Sequence, residues 1–302
     1  MNNFYEKNAV DGEKQIKVAV VTGPTATGKT ALAVKLAKEY DGAIISVDSR
    51  QVYKGLDIGS GKDIEEYENV PYHLIDIADP AKEVYNLARF CRYAFAAIED
   101  IAARGKLPVL CGGTALYLLA LLDGYQLPGG ELPPRSSGEP RVRQDQSQSD
   151  SFKPPFKLDA LVLGVYFPRA EVRERIQIRL DKRLEQGMID EEKKLVDSGV
   201  TLQQLEFFGL EYREMALYLA GKYTLSEMRD TLLNKIRQFA KRQDIFFRKM
   251  EREGHVIHWL LRGDHARAQE LIRLFMQGKD LPPPEFKLID IINPDTRGAC
   301  SR

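Results

Sequence analysis

The chain has 302 residues, 43% of them apolar and 29% charged, and its 44 Lys and Arg balance 44 Asp and Glu. That composition describes a globular chain with enough apolar material for a large core. Three cysteines (Cys91, Cys111, Cys300) and four histidines (His73, His255, His258, His265) lie at spacings that exclude a disulfide framework and a structural zinc site, and read as reduced thiols in a cytoplasmic protein.

The first fifteen residues are polar and acidic, unlike a signal peptide. Residues 17–22 (KVAVVT) form a β-branched run that ends in a glycine turn, after which ALAVKLAKEY has helical spacing. AIISVD (43–48) and KLPVLCGG (106–113) repeat the theme, with a helical RFCRYAFAAIEDIAARG (89–105) before the second. The apolar run from Ala115 to Leu122 is too short to span a bilayer, so no membrane partner is expected. A fourth strand is predicted at LDALVLGVYF (158–167). Short apolar strands alternating with helices indicate an α/β fold, a parallel sheet flanked by helices. From Arg169 to Glu253 the pattern changes to helices punctuated by Gly187, Gly199, Gly209 and Gly221, a helical C-terminal part.

Residues 124–156 hold six of the fifteen prolines and few aliphatics, so they are expected to be mobile and to add little core. The tail after Leu281 opens on three prolines and is expected to wrap the surface or fray. The expected organisation is a first core part (1–123), a Pro/Ser-rich flexible segment (124–157), the last core strand with the helical part (158–280), and a tail (281–302).

Gly23-Pro24-Thr25-Ala26-Thr27-Gly28-Lys29-Thr30 fits the phosphate-loop pattern G-x-x-x-x-G-K-[ST], with a strand before and a helix after. Such a loop curls its N–H groups inward at a helix N-terminus and makes an anion nest. Lys29 adds a point charge for the outer phosphate, and the Thr30 hydroxyl is a ligand for Mg²⁺. A di- or triphosphate is the expected ligand. Nucleotide-hydrolysing proteins usually close a second strand with an acidic residue. Here LPVL runs into Cys111-Gly112-Gly113-Thr114, which has none, and the acidic strand end is Asp48. That carboxylate either serves chemistry, through a metal-bound water or as a proton acceptor, or simply caps the next turn. Lys235–Arg252 carries seven Lys/Arg against two Asp/Glu, which suits a solvated helix face or a nucleic-acid backbone.

GPTATGKT, AIISVDSRQVYKGLDIGSGK, VPYHLIDIADP and ARGKLPVLCGGTALYLLALLDG, in that order and at similar spacing, resemble the tRNA dimethylallyltransferase family. RERIQIRLDKRLEQGMIDE, FFGLEYREMALYLAGKYTLSEM and IRQFAKRQDIFFRKM extend the resemblance, which covers roughly residues 17–123 and 158–260. It implies a P-loop NTPase-like core, a monomer, and transfer of a dimethylallyl group from dimethylallyl diphosphate, with Mg²⁺, to N6 of the adenosine 3′ of the anticodon. Gly23 to Thr30 would then hold the diphosphate of the donor, with Arg175 reaching it, and Asp48 would be the base for N6. Thr114 matches a contact to the reacting nucleotide, and Ser49, Arg50 and Gln51 match the segment that orients the flipped base. Arg237, Lys241 and Arg248, spaced by four and seven on one helical face, would lie on phosphates of the anticodon stem-loop, with Ile236, Phe239 and Phe246 on the apolar side.

The family's helical insertion, which clamps the anticodon arm, has no counterpart in residues 124–156. Two other readings therefore stay open: prenylation of a free adenine nucleotide, and a non-catalytic module that binds RNA or phosphates.

Overall fold

The computed structural model describes residues 5–7, 14–126 and 151–291. Its strands are β1 (Tyr5–Lys7), β2 (Lys14–Thr22), β3 (Gly42–Ser46), β4 (Tyr72–His73), β5 (Leu107–Cys111), β6 (Tyr125–Gln126), β7 (Ser151–Phe152), β8 (Lys157–Tyr166) and β9 (Ile257–Leu261). The helices are α1 (Lys29–Glu39), α2 (Leu87–Ala103), α3 (Ala115–Asp123), α4 (Arg169–Glu185), α5 (Met188–Asp197), α6 (Leu202–Leu205), α7 (Leu210–Leu219), α8 (Leu225–Arg252), α9 (His265–Met276) and α10 (Leu288–Ile291).

Six strands form one parallel sheet in the order β4-β3-β5-β2-β8-β9, and β1 adds antiparallel to β2. β2 is central because Ile16 and Val18 to Val21 are apolar on both faces, the mark of a strand covered on two sides. It pairs with β5 (Ala19 opposite Val109) and with β8 (Ala19 opposite Leu161). The α/β expectation and all four predicted strands are present, with small shifts at their ends. β4 and β9 were not anticipated. β9 follows a helix after four residues and includes a buried His258 within its apolar run.

Helix boundaries have local causes. Asn86 caps α2 by accepting the Arg89 N–H at 2.8 Å, and α2 then buries Phe90, Ala94, Phe95, Ile98 and Ile101. Thr224 and Glu227 form a capping box that starts the 28-residue α8. The buried stripe of α8 runs through Ile236, Ala240, Gln243, Phe247 and Met250. Phe239 and Phe246, expected on the apolar side, are only half-buried, and Phe247 takes the core position. Among the described residues no helix is long and apolar enough to cross a membrane.

The Pro-rich segment is tied at both ends. Tyr125 and Gln126 pair with Phe152 and Ser151 in a two-residue antiparallel ladder. Phe156 is buried edge-on against Phe95 at 5.0 Å, and Phe152 lies 5.7 Å from the same ring. The end of this segment therefore does add core, a correction to its composition-based reading; residues 127–150 lie outside the described part. The tail wraps the surface as far as Ile291. Phe286 packs on Tyr166 at 5.5 Å, and the Glu251 carboxylate accepts both the Leu288 N–H (3.1 Å) and the Trp259 indole N–H (2.8 Å).

Candidate active site

The phosphate loop leaves the C-terminal end of β2. At Gly23 φ is +143°, and a Cβ there would stand 2.6 Å from the Val165 carbonyl oxygen, so only glycine can turn this close to β8. The Thr27 hydroxyl and the Lys29 ammonium both donate to the Pro24 carbonyl, at 2.9 and 2.7 Å, and close the curl. Among the described residues no protein group accepts the N–H of Ala26, Gly28, Lys29 or Thr30. With the start of α1 behind them, these amides form an anion nest. Burial lowers the Lys29 pKa to about 8; the neighbouring Cys111 and Asp48 pull it up, and Arg179 pushes it further down.

Asp48 emerges beside this nest. β3 ends at Ser46, but the Val47 N–H still donates to the Cys111 carbonyl at 2.8 Å, which keeps the strand end against β5. Asp48 Oδ1 accepts the N–H of Arg50 (2.8 Å) and, more loosely, of Gln51 (3.4 Å). The turn-capping role is thus real, and one oxygen fills it; Oδ2 has no hydrogen-bond partner among the described residues. Gly112 lies flat on Val47, where any Cβ would overlap the Val47 carbonyl. A Cβ on Gly113 would stand 3.1 Å from the Gly23 carbonyl and 3.6 Å from Lys29 Cε. The glycine pair thus lets the β5 turn close on both the Asp48 strand end and the phosphate loop. Thr114, at the N-cap of α3, is half-buried, and its hydroxyl is not used as the cap.

The residues after Asp48 divide. Ser49 is half-buried without a hydrogen-bond partner among the described residues. Arg50 donates to Glu211 at 2.7 Å and lies 3.7 Å from Asp48. Burial opposes the Arg50 charge, but the two carboxylates outweigh it and hold the guanidinium above its usual range. Gln51 accepts from the Ser46 hydroxyl (2.7 Å) and donates to the Gly61 carbonyl (3.0 Å), so its amide is spent inside the loop.

Arg175 on α4 reaches the nest. Its Nε donates to the Ala26 carbonyl at 2.7 Å, and its guanidinium stacks on Phe167 at 4.5 Å. Arg179 and Arg183, one and two turns further on, both meet Asp63 at 3.3 Å. On α8, Arg237 donates to Gln177 (3.0 Å) and Arg248 to the Asp244 carbonyl (3.2 Å), whereas Lys241 is exposed.

Three further residues hold the site together. Gln243 bridges the Thr25 N–H and the Gly113 carbonyl, both at 2.9 Å. Glu191 accepts the N–H groups of Asp57, Ile58 and Gly59 and the Tyr212 hydroxyl. Lys62, fully buried, joins Asp57, Asp76 and the Tyr53 carbonyl. Of these only Gln243 has a readable signal, a polar residue at an apolar position of a helical stripe.

The family model described as IPP transferase matches residues 51–153 and 134–250, two pieces that overlap at 134–153, and one described as isopentenyl transferase matches 16–70. The tRNA dimethylallyltransferase 1 of Geotalea uraniireducens is 44% identical over 292 residues, with 84% of this chain and 96% of the relative covered. The tRNA dimethylallyltransferase 2 of Syntrophotalea carbinolica is 43% identical over 296 residues, covering 85% and 98%. In the first alignment 84% of 302 residues is about 254, so about 38 of the 292 positions have no counterpart here. Among solved structures, the tRNA isopentenylpyrophosphate transferase of Bacillus halodurans superposes with a TM-score of 0.70 at 31% identity, covering 87% of this chain and 97% of the other. A eukaryotic dimethylallyltransferase acting on tRNA shares the fold, with a TM-score of 0.72 at 24% identity over 90% and 81%. By family match, identity and fold alike, the chain belongs to the IPP transferase family, that of the tRNA dimethylallyltransferases.

Proposed function

We infer that this chain is a prenyltransferase that moves the dimethylallyl group of dimethylallyl diphosphate to N6 of the adenosine 3′ of the anticodon in tRNA, releasing diphosphate. The observation that carries this reading is the closure of the Gly112-Gly113 turn onto both the anion nest and the Asp48 strand end. A site for a diphosphate leaving group thereby adjoins a carboxylate with one uncommitted oxygen. The relatives, named as tRNA dimethylallyltransferases, support the substrate pair.

In the reaction the allylic C–O bond breaks, an N6–C bond forms, and N6 gives up a proton. Charge accumulates on the departing diphosphate, so the free loop amides of Ala26, Gly28, Lys29 and Thr30, the Lys29 ammonium and Arg175 favour the transition state over the ground state. Adenine N6 is a weak nucleophile because its lone pair is delocalised into the ring, and Asp48 Oδ2 takes its proton. Thr114 contacts the reacting nucleotide, Ser49 with Arg50 and Gln51 frames the extruded base, and Arg237, Lys241 and Arg248 take phosphates of the stem-loop. Among the described residues no group of three or more His, Cys, Asp or Glu side chains could hold a metal ion alone. Thr30 is the residue at the nest whose hydroxyl would hold Mg²⁺ alongside a bound diphosphate. When bound, Mg²⁺ supplies charge neutralisation on the diphosphate. We read the protein as a cytoplasmic monomer.

The test is transfer from labelled dimethylallyl diphosphate with Mg²⁺, offered unmodified tRNA and AMP in parallel. Label is expected in tRNA. Asp48→Asn, whose amide oxygen can still cap the Arg50 and Gln51 turn, is expected to lower kcat by about 10²–10⁴-fold without unfolding the chain. Label in AMP alone would make the acceptor a free nucleotide, and label in neither would overturn the reading.

A further inference from the structure

Gln243 is the only polar member of the buried stripe of α8, and 7% of it is exposed. Both ends of its amide are used: Oε1 accepts the Thr25 N–H, and Nε2 donates to the Gly113 carbonyl. Thr25 belongs to the limb by which the chain enters the anion nest. Gly113 directly precedes Thr114 and belongs to the turn that closes on the Asp48 strand end. The two segments follow different strands, β2 and β5. At the strand ends the Thr22 hydroxyl donates to the Gly112 carbonyl at 2.8 Å; further out, over the site, this side chain and the packing of Gly113 on Gly23 join the two segments. A Cβ at Gly113 would stand 2.7 Å from Gln243 Nε2, so the turn admits the amide only because it is glycine.

We propose that Gln243 is a positioning residue that fixes the leaving-group loop relative to the turn facing the acceptor. Only an amide suits the place: one end must accept from an N–H while the other donates to a carbonyl, which neither a carboxylate nor an apolar side chain does. The two segments hold opposite ends of a displacement, where a misplacement of about 1 Å costs on the order of 10²-fold in rate. Gln243 also stands on the helix that carries Arg237, Lys241 and Arg248, so the seat of the donor loop is tied to the element expected to meet RNA. The catalytic part of this inference rests on the function proposed above; the loop-ordering part does not.

The experiment uses the full chain with Mg²⁺ and inorganic pyrophosphate, followed by calorimetry, beside the tRNA transfer assay. Gln243→Met is expected to weaken pyrophosphate binding about tenfold, the worth of one buried hydrogen bond that orders the nest, and to lower kcat by a further factor of about ten. A melting curve checks that the variant is folded, since a merely structural residue would change melting without changing the affinity of folded protein. Gly113→Ala, which pushes the amide out from the other side, is expected to give a similar loss and serves if Gln243→Met does not fold. Affinity within twofold of wild type in folded Gln243→Met would overturn the proposal. A wild type that binds pyrophosphate but transfers nothing would sink the proposed function and leave Gln243 to be judged by the binding data.

Discussion

Lys29 has a pKa of about 8 because burial penalises its ammonium, yet the nest needs that ammonium charged. In the free protein the charge is therefore lost as pH rises through 8, not near the usual lysine value. Pyrophosphate affinity should fall between pH 7 and pH 10, with a limiting slope of tenfold per unit. The Lys29→Arg variant keeps its charge over that range and shares the titration of pyrophosphate itself, so it is the reference. The ratio of wild-type to variant affinity, measured by calorimetry, should decline above about pH 8; a flat ratio would mean that Lys29 stays charged. At this scale the phosphate loop was readable because its signal is contiguous, eight residues between a strand and a helix. Gln243 shows only its polarity within an apolar stripe; its role does not show, because its partner Thr25 is 218 positions away and no local pattern links them.

The loop from Asp48 to Asp63 is held by an element, α5, in addition to its own hydrogen bonds, such as those of Gln51 to the Gly61 carbonyl and of Lys62 to the Tyr53 carbonyl. Glu191 gathers three consecutive N–H groups and the Tyr212 hydroxyl, so its removal leaves several polar groups unsatisfied together. Glu191→Ala should destabilise the chain by about 2–4 kcal/mol, and Tyr212→Phe by about 1 kcal/mol, in urea unfolding. The same loop shows why element boundaries outran the sequence reading. Helices from Arg169 onward were legible from glycine spacing, and β2, β3, β5 and β8 from their apolar runs. β4 has only two residues, and β9 is a five-residue run four residues after a helix, so neither offered a clear period to detect. The polarity of residues 124–156 concealed Phe156, whose burial depends on Phe95 in a distant helix.

Across the whole molecule the charges cancel, 44 against 44, but they are not evenly spread. The exposed face of α8 carries Lys241 without an ion-pair partner among the described residues, while Arg237 and Arg248 already hold internal contacts. Affinity for tRNA should fall linearly in log–log terms with added salt. Lys241→Gln should reduce that slope by about 0.7–0.9 and weaken binding, with kcat at saturating tRNA unchanged. Filter binding over a salt series measures this; an unchanged slope would remove Lys241 from the RNA-facing surface.

The two-residue ladder between β6 and β7 brings the ends of the Pro-rich segment together just before β8. The family model breaks into its two overlapping matches within that segment, and the alignment with the Geotalea uraniireducens relative leaves about 38 of 292 positions without a counterpart here. A clasp of this kind makes the stretch it closes a replaceable cassette. Closure entropy grows only as the logarithm of loop length, so material can be gained or shed there at small thermodynamic cost while the sheet keeps its register. Reach toward a large acceptor and the chemistry of bond exchange can then evolve as separate traits, one by changing the cassette and the other by changing the strand ends.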